Sequence, residues 1–289
     1  MKRIGILKAV CCTFLGMVSA LVLSADDNGA YSGYAPYSIY GVGDLFNGGS
    51  AYNMTMGGVG VASRNNRYIN SLNPAAVTAR DSLAFMSDFS VYQNNKILKQ
   101  GSALSANNIF NINDFIISFP LFPKTAMMIG ITPYSSTGYA FDYYETNKEV
   151  LGTVGNVNHS YTGQGSMYQI FAAGGITLFD RLSIGAQYIH YTGNLEKNYT
   201  QTISDAAALG LDGVSEMILS ANTAKLGLQY EQEFSNKFKM VLGATYKFDT
   251  RLNGYINNTL TSGQASISSS SDTLSHMSSP LRLGDEVAV

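Results

Sequence analysis

The sequence predicts an all-β protein: an antiparallel transmembrane β-barrel of the outer-membrane kind, with an N-terminal segment acting as a plug, or hatch. Three observations predict it. The first is composition, since only 13% of the 289 residues are charged while Gly (29) and Tyr (19) are abundant, against about 25% charged residues in ordinary soluble domains. Mean hydropathy is nonetheless +0.02, and beyond position 25 there is no run of about 20 apolar residues to make a transmembrane helix. The second is period-two patterning sustained over ten or more residues, longer than the strands of a soluble sandwich. The third is an alternation of short turns with long polar links between those runs, as outer-membrane barrels show.

At the N-terminus, Lys2, Arg3 and Lys8 precede the apolar segment from Ala9 to Leu23, and Ser24-Ala25 supplies small residues for cleavage. This reads as an export signal over 1–25, too short for a membrane anchor. Both cysteines, Cys11 and Cys12, lie within it, so the processed chain has neither a disulfide framework nor a thiol nucleophile. Loss of Lys2, Arg3 and Lys8 leaves 15 of 18 basic residues against 20 acidic ones. An acidic balance without Lys/Arg clusters argues against nucleic acid as a partner.

Residues 26–81 form the expected hatch. They are rich in Gly and Asn, hold almost no long apolar run, and suit a segment enclosed by a polar lumen. Residues 82–289 then form the expected barrel. From Ser82, Leu83, Phe85, Phe89 and Val91 share one face; later, Ala224, Leu226, Leu228 and Tyr230 alternate with Lys225, Gly227, Gln229 and Glu231. Phe238 to Asp249 repeats the pattern, and Phe234 to Lys237 joins the two runs as a hairpin. Strands are expected near 82–94, 110–120, 126–142, 164–178, 182–195, 222–233, 238–250 and 264–276, with a ninth beginning at Leu281. Between them lie the long links Asn94–Asn108, Tyr143–Gly163, Glu196–Asn222 and Leu252–Ser262.

One phrase returns after three short turns: Ile129-Gly130-Ile131, Ile184-Gly185-Ala186 and Leu242-Gly243-Ala244. Its spacing is that of one hairpin plus one long link, an echo of barrel construction rather than of a solenoid. An eight-stranded barrel is filled by its own side chains, and an open edge is not tolerated in lipid. A hatch of this size therefore implies further strands, and a C-terminally truncated chain is the expectation.

Pro36-Tyr37-Ser38, Gly41-Val42-Gly43-Asp44-Leu45, Met56-Gly57-Gly58-Val59-Gly60 and Asn73-Pro74-Ala75, in that order between an export signal and long strands, carry a resemblance. The chain resembles the N-terminal region of Bacteroidetes outer-membrane proteins of the FadL-type family, transporters of long-chain fatty acids and other hydrophobic compounds. The resemblance implies a fourteen-stranded barrel of which about 8–9 strands are present, blocked by the hatch. It implies capture of a fatty acid-like ligand at outer loops, hatch-gated release through a lateral gap where the third strand is kinked, and passive uptake by a monomer. Its partners would be the lipid bilayer, lipopolysaccharide and the barrel-assembly machinery. On this chain the gating and ligand-binding positions would be Asn73, Pro74 and Ala75 in the hatch and Pro133 in the third strand. Leu209, Leu211 and Ile218, near helical spacing in the third outer link, would contribute to capture; as a plain loop core they would do no more than pack.

No catalytic signature, metal set or cofactor motif competes. His159, His190 and His276 are far apart, with no local Ser–His signature for an outer-membrane lipase. Gly57-Gly58-Val59-Gly60 lacks the Gly-x-Gly-x-x-Gly spacing of a dinucleotide site, and Ser266 to Ser271 reads as a solvated hydroxyl run. The expected function is a non-enzymatic channel for hydrophobic compounds. Its alternatives are an outer-membrane carrier or scaffold related to secretion, or a nonfunctional fragment.

Overall fold

A computed structural model describes residues 34–46, 48–80, 84–204, 209–235, 238–263, 265–273 and 281–289. The export signal expected at 1–25 lies outside the described residues, as do the turn residues 236–237 and 278–280. Among the described residues no helix is long and apolar enough to cross a membrane.

The strands are β1 (Asp44–Leu45), β2 (Met86–Gln100), β3 (Ala103–Phe122), β4 (Thr125–Tyr144), β5 (Val157–Leu178), β6 (Leu182–Ile203) and β7 (Leu211–Ser235). They continue as β8 (Phe238–Lys247), β9 (Thr250–Arg251), β10 (Asn253–Ser262), β11 (Ala265–Thr273), β12 (Arg282–Leu283) and β13 (Glu286–Ala288). From β2 to β7 each strand pairs antiparallel with the next. β7 is long enough to pair with β8 along its C-terminal half and with β10 along its N-terminal half, so β8, β9 and β10 form one broken strand. The chain then returns along it, β11 pairing β10, β12 pairing β9 and β13 pairing β8. Leu281 thus does not open a ninth stave; Arg282–Leu283 and Glu286–Ala288 extend the eighth. Among the described residues β2 pairs only with β3 and β11 only with β10, so no pairing of end strands closes the sheet.

The polar links expected as loops are largely strand. Asn94–Asn108 is the tip of the β2–β3 hairpin, and Glu196–Asn222 holds the paired ends of β6 and β7. Among the described residues of these links only Tyr143–Gly163 contains a helix, Lys148–Val154, capped where Asn147 Oδ1 accepts from Glu149 N at 3.0 Å. The ladder needs only backbone groups, so Asn, Ser and Thr serve as strand residues wherever neither face has to be apolar. Leu209, Leu211 and Ile218 are accordingly not helical: β7 begins at Leu211, and Ile218 and Leu219 point to opposite faces.

The two faces of the sheet divide by residue parity. On β6, Ser183, Gln187, Ile189 and Tyr191 are buried on the inner face, while Ile184 and Tyr188 are exposed on the outer. Leu226, Leu228 and Tyr230 on β7, and Leu242 and Tyr246 on β8, continue the outer apolar surface, with Phe122, Phe179, Phe234 and Phe238 exposed at the turn end. The outer face turns polar at Tyr188, where the Tyr188 hydroxyl donates to Asn222 Oδ1 at 2.6 Å and His190 Nδ1 pairs with the same oxygen at 2.7 Å. From Leu182 to His190 is about 27 Å of strand, or about 20 Å of bilayer at a tilt of about 45°, close to the roughly 25 Å apolar band of outer-membrane barrels. Beyond it the outward residues of β6 are Thr192, Asn194, Glu196, Asn198 and Thr200. Strands of 22 and 25 residues are therefore long enough to span a bilayer and continue well past it. A Leu228→Lys variant in lipid vesicles is expected to lose about 2–4 kcal/mol of unfolding free energy in urea titrations. Thr200→Lys, outside the band, should stay within about 0.5 kcal/mol of the parent.

The inner face carries the core. Met128, Phe171, Ile189, Tyr191, Leu195 and Leu219 are all buried there, and Tyr134 meets Tyr191 edge-on with ring centroids 4.6 Å apart.

Candidate functional site: a segment bonded into the inner face

Residues 34–80 lie against the inner face of the sheet in three stages. The first runs beside β4. A 3-10 turn at Pro36–Ile39, with Pro at its first position, follows Ala35, whose N–H donates to Gly138 O at 2.9 Å. Gly138 N donates to Ser38 Oγ at 3.0 Å, β1 pairs Asp44 and Leu45 with Ser136 and Ser135, and Phe46 N reaches Tyr134 O at 2.9 Å. This edge of β4 is free for β1 because β3 stops pairing with β4 at Phe115↔Ile131. Pro133 stands just beyond, at the bulge between Pro133 and Ser135. Proline has no N–H for a ladder, and the extra residue, Tyr134, exchanges the parity of the strand. Even-numbered residues of β4 face inward before the bulge, as Met128 and Thr132 do; odd-numbered ones face inward after it, as Ser135, Thr137 and Tyr139 do.

The second stage is a knot of amides. Ser50 and Asn53 form a capping box on the helical turn Ala51–Thr55. Asn53 Nδ2 donates to Asn70 Oδ1 at 3.0 Å, and Asn70 Nδ2 donates to Ser63 O at 2.9 Å and Gly60 O at 2.5 Å. Side-chain amides replace a ladder here, which lets a segment without long apolar runs hold one conformation.

The third stage is Asn73-Pro74-Ala75 and the 3-10 turn it opens, Pro74–Thr78, which is buried throughout. Asn73 Oδ1 accepts from Ala75 N at 3.0 Å while its Nδ2 donates to Val61 O at 2.7 Å and across to Leu228 O of β7 at 3.1 Å. Beneath it Gly175, Gly185 and Gly227 stand directly opposite one another on β5, β6 and β7. A Cβ would lie 2.9 Å from Val77 Cγ1 at Gly175, 2.5 Å from Pro74 O at Gly185 and 2.7 Å from Pro74 Cδ at Gly227. At Gly243 it would meet Ala62 Cα at 2.7 Å. The glycines cut a flat groove into which the backbone of 61–77 descends. Two of the three glycines in the repeated sequence phrase, Gly185 and Gly243, are therefore contact points; the third, Gly130, makes room instead for Phe171.

Arg64 joins the segment to the sheet electrostatically. Its Nε lies 3.1 Å from Glu231 Oε2, and its Nη1 donates to Ser183 Oγ at 2.7 Å and to Gln229 Oε1 at 3.3 Å. Desolvation lowers the pKa of Arg64, and the adjacent Glu231 carboxylate partly restores it. Gln229 Nε2 donates to Val61 O at 2.9 Å, and Thr177, Ser183 and Thr78 share hydroxyl bonds beside it. Arg80 ends the segment with bonds to Val77 O, Ala84 O and Ser118 Oγ; burial lowers its pKa as well.

Of the positions singled out in the sequence, Asn73, Pro74 and Ala75 are at the centre of this contact and Pro133 is at the bulge beside its first stage. Leu211 and the exposed Ile218 lie on the far reach of β7 and the exposed Leu209 just before it, none of them in this contact. Arg64, Ser183, Gln229 and Glu231 carry no motif; the only hint is an arginine in a segment poor in charge. Among the described residues no group of His, Cys, Asp or Glu side chains is placed to hold a metal ion. Asn73→Ala removes two hydrogen bonds from a buried amide and one from the turn it caps, and is expected to cost about 2–3 kcal/mol, read as a lower urea midpoint at unchanged slope.

An antiparallel sheet with an apolar outer band of bilayer height and an inner face filled by its own chain defines a membrane β-protein of the outer-membrane type. More particularly, the chain belongs to the BamG family, whose family model matches residues 6–285. No curated protein and no solved structure matches the chain. The match adds nothing to the FadL-type resemblance of the N-terminal motifs and lends hydrophobic-compound uptake no support.

Proposed function

We propose that the protein is a carrier or scaffold subunit of the outer membrane that works with the barrel-assembly machinery, in a binding rather than a transport role. The family name BamG supports the association. The observation that carries the binding role is the seating of residues 34–80, where backbone-to-glycine contacts, the Asn73 amide and the Arg64–Glu231 pair fill the inner face. Such a face favours a rigid support over a conduit. Tagged protein extracted in mild detergent is expected to copurify with the central barrel-assembly subunit, and its depletion to lower the level of other outer-membrane barrels. Copurification at the level of an unrelated barrel, with unchanged barrel content, would reject the reading.

A second reading, hatch-gated uptake of a fatty acid-like ligand, is favoured by one observation: β3 leaves β4 beside Pro133, and residues 35–46 occupy the strand edge so exposed. Asn73, Pro74 and Ala75 would then gate, and Leu209, Leu211 and Ile218 would contribute to capture. Labelled fatty acid uptake separates the two: loss on deletion with normal barrel content favours the channel.

A further inference from the structure

Past the level where the outer face turns polar, the inner face is built in two contrasting halves. Across β4, β5 and β6, Phe141, Tyr161 and Tyr199 stand directly opposite one another, with ring centroids 5.3 Å apart in the first pair and 5.0 Å in the second. His159 stacks on Tyr199 at 5.9 Å and its Nδ1 lies 2.8 Å from the Tyr199 hydroxyl. The Tyr139 ring lies where a side chain on Gly163 would stand, 2.8 Å from that Cβ to the Tyr139 hydroxyl. The bulge at Tyr134 is what turns Tyr139 and Phe141 inward.

The same cross-strand ranks change character on the next strands. Lys197 continues through Ser215 and Asn258 to Ser270, and Tyr199 through Gly213 and Leu260 to Ser268. An aromatic wall thus faces a mixed one, in which Ser215, Asn258, Ser268 and Ser270 stand among Gly213, Val214 and Leu260. Between them lies a cavity of about 390 Å3, with Ile39 of the N-terminal segment in its lining; small-molecule sites span about 300–1,000 Å3. Lys197 Nζ donates to Ile39 O at 2.7 Å and Gly41 O at 3.2 Å, which fixes that side of the cavity and occupies its cation.

We propose that this cavity binds a short carbohydrate segment. A pyranose ring has one apolar face of C–H groups and a rim of hydroxyls, which match a tyrosine wall and a Ser/Asn wall respectively. A fatty acyl chain would match Val214 and Leu260 but leave Ser215, Asn258, Ser268 and Ser270 facing hydrocarbon. A phosphate-bearing ligand would find its one lysine already engaged. The cavity is on the side of the long hairpins, which in outer-membrane barrels faces the exterior, where the sugar could belong to a lipopolysaccharide or to a soluble glycan. The inference stands apart from any association with the barrel-assembly machinery, and either can fail without the other.

The test uses the full protein in a zwitterionic detergent without sugar headgroups, with maltohexaose, cellohexaose and the core oligosaccharide released from lipopolysaccharide as probes. Saturation-transfer NMR is expected to detect binding of at least one probe below about 10 mM, a weak but measurable affinity. Preference for the core oligosaccharide assigns the site to lipopolysaccharide; equal or better binding of a hexaose assigns it to soluble glycan. Tyr199→Ala, whose ring ends the ladder beside Gly213, should weaken binding about tenfold, as loss of an aromatic stacking partner implies; Tyr161→Ala, whose ring is packed between Phe141 and Tyr199, should weaken it less, while the outward Tyr188→Ala leaves it unchanged. Asn258→Leu, at an exposed position outside the aromatic ladder, should weaken it as well and covers the case in which a tyrosine variant does not fold. The proposal is overturned if no probe binds the parent protein, or if binding survives in Tyr161→Ala, Tyr199→Ala and Asn258→Leu alike. It is also overturned if a tyrosine-containing peptide displaces the sugar at lower concentration than the sugar itself binds.

Discussion

A Gly185→Val protein is expected to keep its sheet and lose the seating of residues 34–80. Valine is among the best strand formers, so β6 itself has no reason to fail. Its Cβ, however, would fall inside van der Waals contact with Pro74 C, Pro74 O and Ala75 N, and backbone atoms cannot rotate away as a side chain can. Overpacking of this kind costs about 1–3 kcal/mol. Displacing the 3-10 turn also removes the Asn73 bond to Leu228 O, and a buried polar group without its partner adds about 1–3 kcal/mol. A combined loss of about 3 kcal/mol raises the open population roughly a hundredfold. Trypsin cleavage at Arg64, Arg67 and Arg80 in vesicles should accelerate by that order. The control is Gly174→Val, on the outward face, where the nearest atom to an added Cβ is Met127 Cγ at 3.7 Å; its cleavage should match the parent's. Equal protection in Gly185→Val and the parent would mean that the glycine groove does not set the position of the segment.

That groove also shows how much of the molecule was legible in the sequence. The runs 84–94, 182–195 and 224–231 alternate because one face is the exposed apolar one and the other meets the packed interior, so their strands and their outward residues could be read from period two alone. Where neither face must be apolar the pattern disappears but the ladder does not, and Tyr143–Gly163 and Glu196–Asn222 therefore looked like loops. The repeated Ile-Gly and Leu-Gly phrases marked Gly185 and Gly243 as special, yet a glycine in a strand fits a bulge, a kink or a close approach equally well. Only the opposing register of Gly175, Gly185 and Gly227 distinguishes the third case. Pro133 announced an interruption of β4, whereas the inversion of facing that follows depends on Tyr134 being the unpaired residue. Arg64 was silent because its partners are 119, 165 and 167 positions away, at Ser183, Gln229 and Glu231, and single residues so separated leave no local spacing to detect.

Removing the Arg64 guanidinium should release the segment by a different route, and a double-mutant cycle can tell the two apart. Arg64 and Glu231 side chains are only 11% and 19% exposed, so the pair is shielded from most of the solvent screening that makes surface ion pairs weak. Desolvation works against the charged Arg64, and the Glu231 carboxylate opposes it; each charge is tolerated inside because the other is present. Breaking such a pair from one side costs about 3–5 kcal/mol, chiefly because the remaining charge stays buried. Lys239, 2.5 Å from Glu231 Oε1 but 47% exposed, can compensate only in part. Arg64→Met is therefore expected to lower the unfolding free energy in urea by about 3 kcal/mol. Glu231→Gln should cost less, since a neutral amide keeps a hydrogen bond to the guanidinium. The double variant should cost less than the two singles together, by a coupling of about 1–2 kcal/mol, because it leaves neither buried charge of the pair without the other, and Lys239 is half exposed to water. Trypsin cleavage at Arg67 and Arg80 should follow the same order. Strict additivity would show that Arg64 holds the segment through Ser183, Gln229 and the Thr78 hydroxyl, to which its Nη1 and Nη2 donate at 3.4 Å, with the carboxylate a bystander.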